Sequence, residues 1–458
     1  MGSARSLART MLIAAAMGLA AVIALALFMW LVFRFDGGEV RAEVRKAFAS
    51  GALVTNSGQL LDAQRGDYLF NDCLILQTLL LGRDNWRNSV INSTIYLSDS
   101  PCLNLRDEVT NQPQGTTTYQ YSRYVFAARA LSAPLLAAFG MDGTRGLLKA
   151  VNYALLVLTG IVTLCALATN SGPRTHPRTL YVAGLLCALA MLSVYRLEYY
   201  AQTLSHGFSE LVIASFLLYS MTPANATKAT GVPTAAIVLG VLTGCFELLT
   251  GPGLVAVGIA ALLAHCAAPL ESHPYRRAAL AGFGCAAGIL MALFWQQLLI
   301  SLFSDSRPFY QFATHLAMRL QLHQFFPIPF EPQWATVENL HLYSPGEVID
   351  SIRIALPLLA YGSPLAAQIL FASSAVAVAA GPFCARREAR PGCIIAAAVC
   401  LSLPAWYFAF SNHTVLHSLY MIRMAVLLPI CAGISTLFVL APESWMIVRA
   451  TPWKASRD

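Results

Sequence analysis

From Met11 to Phe33 the chain runs 23 residues without a charged side chain, and similar apolar runs recur to its end. About 20 apolar residues in a helix match the hydrocarbon thickness of a bilayer. Lipid offers no partner for backbone amides, so such runs can fold only as membrane helices. Composition agrees: 57% of the 458 residues are hydrophobic and 12% are charged, against about 25% charged in soluble domains. The formal net charge of +7 does not argue for a nucleic-acid partner, because the basic residues gather in short loops.

Hydropathy predicts about ten spans, at 11–33, 147–168, 179–195, 206–222, 231–249, 252–267, 278–303, 360–382, 392–410 and 416–440. Arg5 and Arg9 precede the first, and no small-x-small cleavage site follows it. It therefore reads as a signal anchor with a cytoplasmic N-terminus. Arg174, Arg178, Lys228, Arg276, Arg277, Arg386, Arg387, Arg390, Arg449, Lys454 and Arg457 then all fall on the cytoplasmic side, as the positive-inside rule requires. The expected fold is all-α: one polytopic membrane domain, 1–458, in a bacterial inner membrane, with both termini cytoplasmic. Two long external segments, 34–146 and 304–359, carry amphipathic surface helices. No internal repeat, low-complexity tract or second soluble domain is present.

Within 34–146, RGDYLFNDCLILQTLLLG is too short and too charged at its start to span, and reads as a buried or interfacial helix. YQYSRYVFAARALSAPLLAAFG is amphipathic, with Ser122 a candidate N-cap. It predicts a helix along the membrane surface before re-entry at Thr144. RPFYQFATHLAMRLQLHQFF predicts a second surface helix, and FPIPFEPQW an extended piece. Most of the eleven cysteines lie inside spans, where they act as small hydrophobes. Cys73 and Cys102 share the first external segment; an oxidising compartment would permit a disulfide, and the sequence leaves their pairing open.

Polar residues near the external face supply the candidate chemistry. Asp36 and Glu39 follow the first span in FRFDGGEV. Partial desolvation would raise a carboxyl pKa there, which suits a general base; a solvated helix end is the plainer alternative. Tyr119, Tyr121, Arg123, Tyr124 and Arg129 fit either an interfacial belt or arginines that hold a phosphate. Glu198 precedes His206 and Glu210, which are four apart on one helix face. Glu247, in CFELLTGPG, is a carboxylate at membrane depth, by default a functional mark, with a structural cap on the turn as the alternative. His315, Arg319 and His323 predict a stripe suited to an anion, since zinc spacing of the HExxH kind is absent. His413, His417 and Tyr420 form a second stripe at the outer end of the last span. Arg423, one turn deeper, needs an anionic partner or a wet cavity. Carboxylates on one flank and cations on the other suit group transfer from an anionic lipid carrier to an external acceptor.

This arrangement resembles the GT-C superfamily of glycosyltransferases, which use polyprenyl-phosphate-linked sugars. The likeness lies in a cytoplasmic N-terminus, ten or so spans, surface helices in the first external loop, and an acidic residue just after helix 1. FDGGE fills that last position. YSRYVFAARALSAPLL, CFELLTGP and NHTVLHSLYMIR are also similar to segments of bacterial GT-C-like membrane proteins. The resemblance implies inverting transfer of a single sugar to a glycan, lipid or protein, with Asp36 as base and Glu39 as understudy. Arg123, Arg129, Glu198, His206, Glu210, Glu247, His315, Arg319, His413, His417, Tyr420 and Arg423 would bind substrate. No metal is obligatory in this reading, although a divalent cation at Asp36 and Glu39 is compatible with it. The WWDYG-like signature and soluble C-terminal domain of oligosaccharyltransferases are absent. Two other readings are an O-antigen-type ligase or polymerase, whose large loop comes late, and a lipid-linked sugar transporter, whose polar groups would lie near midplane. A structural subunit would not require Glu247 or Arg423.

Overall fold

The computed structural model describes residues 2–35, 38–55, 63–84, 89–96, 100–110, 117–122, 127–169, 178–222, 231–246, 251–268, 273–304, 307–330, 340–442 and 445. Its main elements, in chain order, are α1 (Gly2–Phe35), α2 (Glu39–Ser50), α3 (Ala63–Asp84), β1 (Thr94–Tyr96), α4 (Pro101–Val109) and β2 (Thr118–Gln120). They continue as α5 (Ala127–Thr169), α6 (Arg178–Ser193), α7 (Gly207–Met221), α8 (Gly231–Phe246), α9 (Pro252–Cys266), α10 (Pro274–Phe303) and α11 (Pro308–Arg319). The last four are α12 (Pro345–Ala355), α13 (Pro364–Cys384), α14 (Arg390–Ala409) and α15 (Leu427–Leu440). Apart from the two-stranded antiparallel ribbon β1–β2, the described regular elements are helical.

Each of the ten predicted intervals holds a helix. Six are long and apolar enough to cross a membrane: Arg5–Arg34, Ala127–Thr169, Pro274–Phe303, Pro364–Cys384, Arg390–Ala409 and Ser418–Leu440. The chain thus has the character of a multi-pass membrane protein. The four central helices, α6 to α9, are apolar but only 15 or 16 residues long.

Small residues set the closest helix contacts, as expected where lipid removes any hydrophobic drive between helices. Gly240 on α8 lies so near α10 that a Cβ there would come within 2.0 Å of the Cys285 carbonyl oxygen. Gly288 on α10 approaches Ile237 and Val241 in return. Helix α1 rests on α10 through Gly18 against Met291, and the Trp295 indole donates to Ala15 O at 2.8 Å. Its other face exposes Leu12, Leu27 and Trp30, an apolar surface that suits lipid.

A second, smaller core unites the segment after α1. Val40 and Val44 of α2, Leu76 and Leu80 of α3, Leu105 of α4 and Leu136 of α5 pack together, with Leu204 and Phe208 beside them. Of the two alternatives for RGDYLFNDCLILQTLLLG, buried or interfacial, helix α3 is buried over most of 72–80, and Cys73 is disulfide-bonded to Cys102 on α4. Arg41 donates to Glu108 Oε1 at 2.6 Å and to its carbonyl at 2.8 Å. Arg45 meets the Val109 carbonyl at 2.6 Å, one of the acceptors a helix end leaves open. Burial pushes the Glu108 carboxyl up, but hydrogen bonds from Tyr96 and Arg41 outweigh it and leave the group below its ordinary value.

One expectation about α5 changes. The Ser122 hydroxyl donates to Gln311 on α11, and residues 123–126, where a helix capped by Ser122 would begin, lie outside the described residues. The turn between surface helix and span comes at Gly140 (φ 66°, ψ −176°), earlier than Thr144. That backbone conformation is open essentially to glycine alone.

Candidate functional site

The polar residues of the last span meet those of the 195–210 segment. Arg423 Nη1 donates to Glu210 Oε1 at 2.7 Å, and both side chains are wholly buried. Arg423 Nη2 lies 3.3 Å from His206 Nδ1, and the Tyr195 hydroxyl donates to the same Glu210 oxygen at 3.0 Å. The guanidinium also sits over two rings, 4.5 Å from the Tyr200 centroid and 5.7 Å from that of Tyr195. This supplies the anionic partner that a membrane arginine needs. His206 precedes α7 as its N-cap, and Glu210 lies in the first turn, where a helix favours negative charge. The His206 ring lies 5.0 Å from that of Tyr420.

The expected stripe His413–His417–Tyr420 comes from a broken stretch rather than one helix. Ser411–Leu416, Ser418–Met421 and a 3-10 turn, Ile422–Val426, lead into α15. The His413 and His417 rings still touch, 4.6 Å apart. Tyr420 reaches back to α3, where Asn71 Nδ2 donates to its hydroxyl at 2.7 Å. Gly251, at φ 134°, opens α9 directly over this stretch: a Cβ there would lie 3.0 Å from Met424 Cγ and 3.6 Å from Arg423 Nε.

The stripe on α11 is shorter than predicted. The helix ends at Arg319, and Gln321 turns left-handed at φ 53°. His323 therefore leaves the face of His315 and Arg319, and its Nε2 lies 3.0 Å from Leu340 O. His315 and Arg319 instead join His413 in the wall of an apolar groove of about 530 Å³. Leu254 and Val257 of α9, Ile289 and Leu293 of α10, and Trp406 of α14 line the rest. Arg319 Nη1 donates to Asn412 Oδ1 at 2.7 Å. A series of contacts thus runs from the groove through Arg319, Asn412, His413, His417 and Tyr420 to His206.

Other expected site residues lie elsewhere. Glu198 pairs with Arg196, which stacks on Tyr199 and Tyr361 and donates to Leu358 O. Glu39 is exposed in the first turn of α2, a setting in which the helix dipole stabilises the carboxylate. Asp36, Arg123 and Glu247 lie outside the described residues. Arg129, on α5, is buried.

Among the ion pairs that sequence reasoning missed, one lies beside His206. Asp72 on α3 accepts Arg145 Nη2 at 2.7 Å and the Leu204 amide at 2.7 Å, and Arg145 Nη1 donates to Ala52 O at 2.7 Å. Burial raises the Asp72 carboxyl above its ordinary value, against the pull of Arg145 and of the Leu204 and Ser205 amides. The pair holds the loop just before His206. Its only signal was the charged start of an otherwise apolar α3. Among the described residues no group of three or more His, Cys, Asp or Glu side chains could hold a metal ion.

No family model matches the chain, and neither the curated proteins nor the solved structures give a match.

Proposed function

We propose that the chain is a GT-C-type glycosyltransferase that moves one sugar from a polyprenyl-phosphate carrier to a glycan, lipid or protein outside a bacterial inner membrane. The observation that carries this reading is the apolar groove lined in part by His315, Arg319 and His413. An apolar cavity with cationic side chains in its wall suits a hydrocarbon chain that ends in a phosphate. In this reading all ten apolar helices cross, the short central four included, with both termini cytoplasmic.

The Glu210 carboxylate is engaged by Arg423 and Tyr195, so it is a poor candidate for a free base. That role falls to Asp36, with Glu39 next in line. The acceptor oxygen forms a bond to the anomeric carbon while the bond from that carbon to the carrier phosphate breaks. The acceptor proton passes to Asp36, and the polyprenyl phosphate departs with the bonding pair. Arg319 and the two histidines, His413 and His417, would stabilise its charge, the kind of fixed electrostatic aid that usually dominates catalysis. His206, Tyr420 and Arg423 would form the floor beneath the sugar. A divalent cation at Asp36 and Glu39 would be an addition to this scheme, not a requirement.

The test is sugar transfer by purified protein in vesicles, with a panel of polyprenyl-phosphate sugars and a total-glycan acceptor extract. Asp36→Asn should abolish transfer while donor binding persists. Arg319→Ala should raise KM for the donor about tenfold or more, the loss expected for one charge-assisted phosphate contact. Sugar-lipid movement across the vesicle without transfer by wild type would replace this reading with a transporter.

A further inference from the structure

The chain supplies carboxylate partners for other buried arginines: Asp72 for Arg145, Glu198 for Arg196 and Glu210 for Arg423. Arg129 is different. It is 2% exposed, and its Nε and Nη1 have no hydrogen-bond partner among the described residues. Ser132, one turn further along α5, is fully buried, and its Oγ is likewise without a partner. Residues three apart share a helix face, so both side chains leave α5 on the same face. A desolvated cation with open donors is costly unless a countercharge meets it, and the chain retains it where an apolar residue would pack at no such cost.

The surroundings favour a ligand over a local defect. Ala127 packs with the core of the membrane helices, whereas Ala128, Ala130 and Ala133 pack with the smaller core around the disulfide. Arg129 thus sits at the seam between the two. Neither Arg129 nor Ser132 lines the groove that holds Arg319.

We propose that Arg129 and Ser132 form a buried binding site for a phosphate group, separate from the groove that Arg319 lines. Two guanidinium donors and a hydroxyl match an oxyanion that offers several acceptor oxygens, and its charge offsets that of Arg129. The phosphate is either free or the head of a lipid. Bound there, it ties the disulfide-containing core to the membrane helices. The site is argued from the donors alone and does not depend on sugar transfer.

The experiment is thermal unfolding of the full chain in detergent micelles, with inorganic phosphate or a polyprenyl monophosphate added against chloride of equal ionic strength. At a hundredfold excess over the dissociation constant, wild type should unfold about 3 °C higher. Arg129→Met should unfold no lower than wild type without phosphate, because it removes the uncompensated charge, should not respond to inorganic phosphate, and should respond less than wild type to the polyprenyl monophosphate. Ser132→Ala and Arg129→Lys keep most of the local packing and should respond more weakly, which preserves the readout if the methionine variant does not accumulate. The part of the phosphate response that Arg129→Met removes and Arg319→Ala leaves in place belongs to this site, so loss of transfer and loss of this site are told apart. A response to inorganic phosphate assigns a free ligand, and a response to the polyprenyl monophosphate alone assigns a lipid-borne one, each supporting the site only where Arg129→Met diminishes it. No wild-type response to either, or an equal response from Arg129→Met, overturns it.

Discussion

Glu210→Leu should be among the most damaging single changes away from the external segments. Its carboxylate is an anionic partner of Arg423, and neither side chain is exposed. Removal of one member of a buried ion pair costs about 3–5 kcal/mol, because the other charge stays behind. The tyrosine rings at 4.5 and 5.7 Å remain and return about 1 kcal/mol. The net loss is then about 3 kcal/mol, roughly a hundredfold in the unfolding equilibrium. Arg423→Met alone should lose a similar amount, since Glu210 would then be the buried charge. The double variant removes both charges and should recover to within about 1 kcal/mol of wild type. Equilibrium unfolding in mixed micelles completes the cycle. Single variants within 1 kcal/mol of wild type would refute the reasoning, for they would mean that water reaches the pair. A double variant as unstable as the summed singles would refute it too, since the side chains would then act independently.

Reduction of the Cys73–Cys102 bond, which closes a loop with sequence separation 29, should cost about 3.5 kcal/mol by loop entropy; limited proteolysis with and without dithiothreitol should show cleavage between α2 and β2 only in the reduced protein. Gly240→Ala places a methyl group where the Cys285 carbonyl stands and should destabilise by about 1–3 kcal/mol, read as a lower thermal midpoint. Glu347 is held at about 2 by the Ser344 backbone amide, by His341 and by the Ser344 hydroxyl, as part of the capping box that starts α12. A depressed folded pKa means that its stabilisation is complete above the ordinary value of 4.5 and disappears as pH falls towards 2. The gap in thermal midpoint between wild type and Glu347→Ala should therefore be constant above pH 5 and close as the solution is acidified.

The helices were legible because apolar runs have one stable solution in lipid, and every predicted interval holds one. The partners were not. Periodicity relates residues three or four apart, so it could align His206 with Glu210 but not join Glu210 to Arg423 across the bundle. Tyr195 and Tyr200 carry no motif that singles them out, yet their rings face a buried guanidinium. Asn71 and Asp72 lay in a stretch read only as interfacial or buried. His323 was misassigned to a stripe because Gln321 gives no sign that it adopts a left-handed conformation; glycine or asparagine would have done so.

One turn of α3 has a consequence for biosynthesis. Cys73 bonds to a neighbour on α4, Asp72 to Arg145 and Leu204, and Asn71 to Tyr420, 349 residues further along the chain. A ribosome that adds about 5–20 residues per second needs roughly 20–70 s to cover that distance. The disulfide and the Asp72 contacts can form while the later helices are still being made, but the Asn71 contact must wait for the last one. The N-terminal quarter of the chain is therefore clasped only when synthesis nears its end, and a ribosome that stalls before Tyr420 leaves that clasp open.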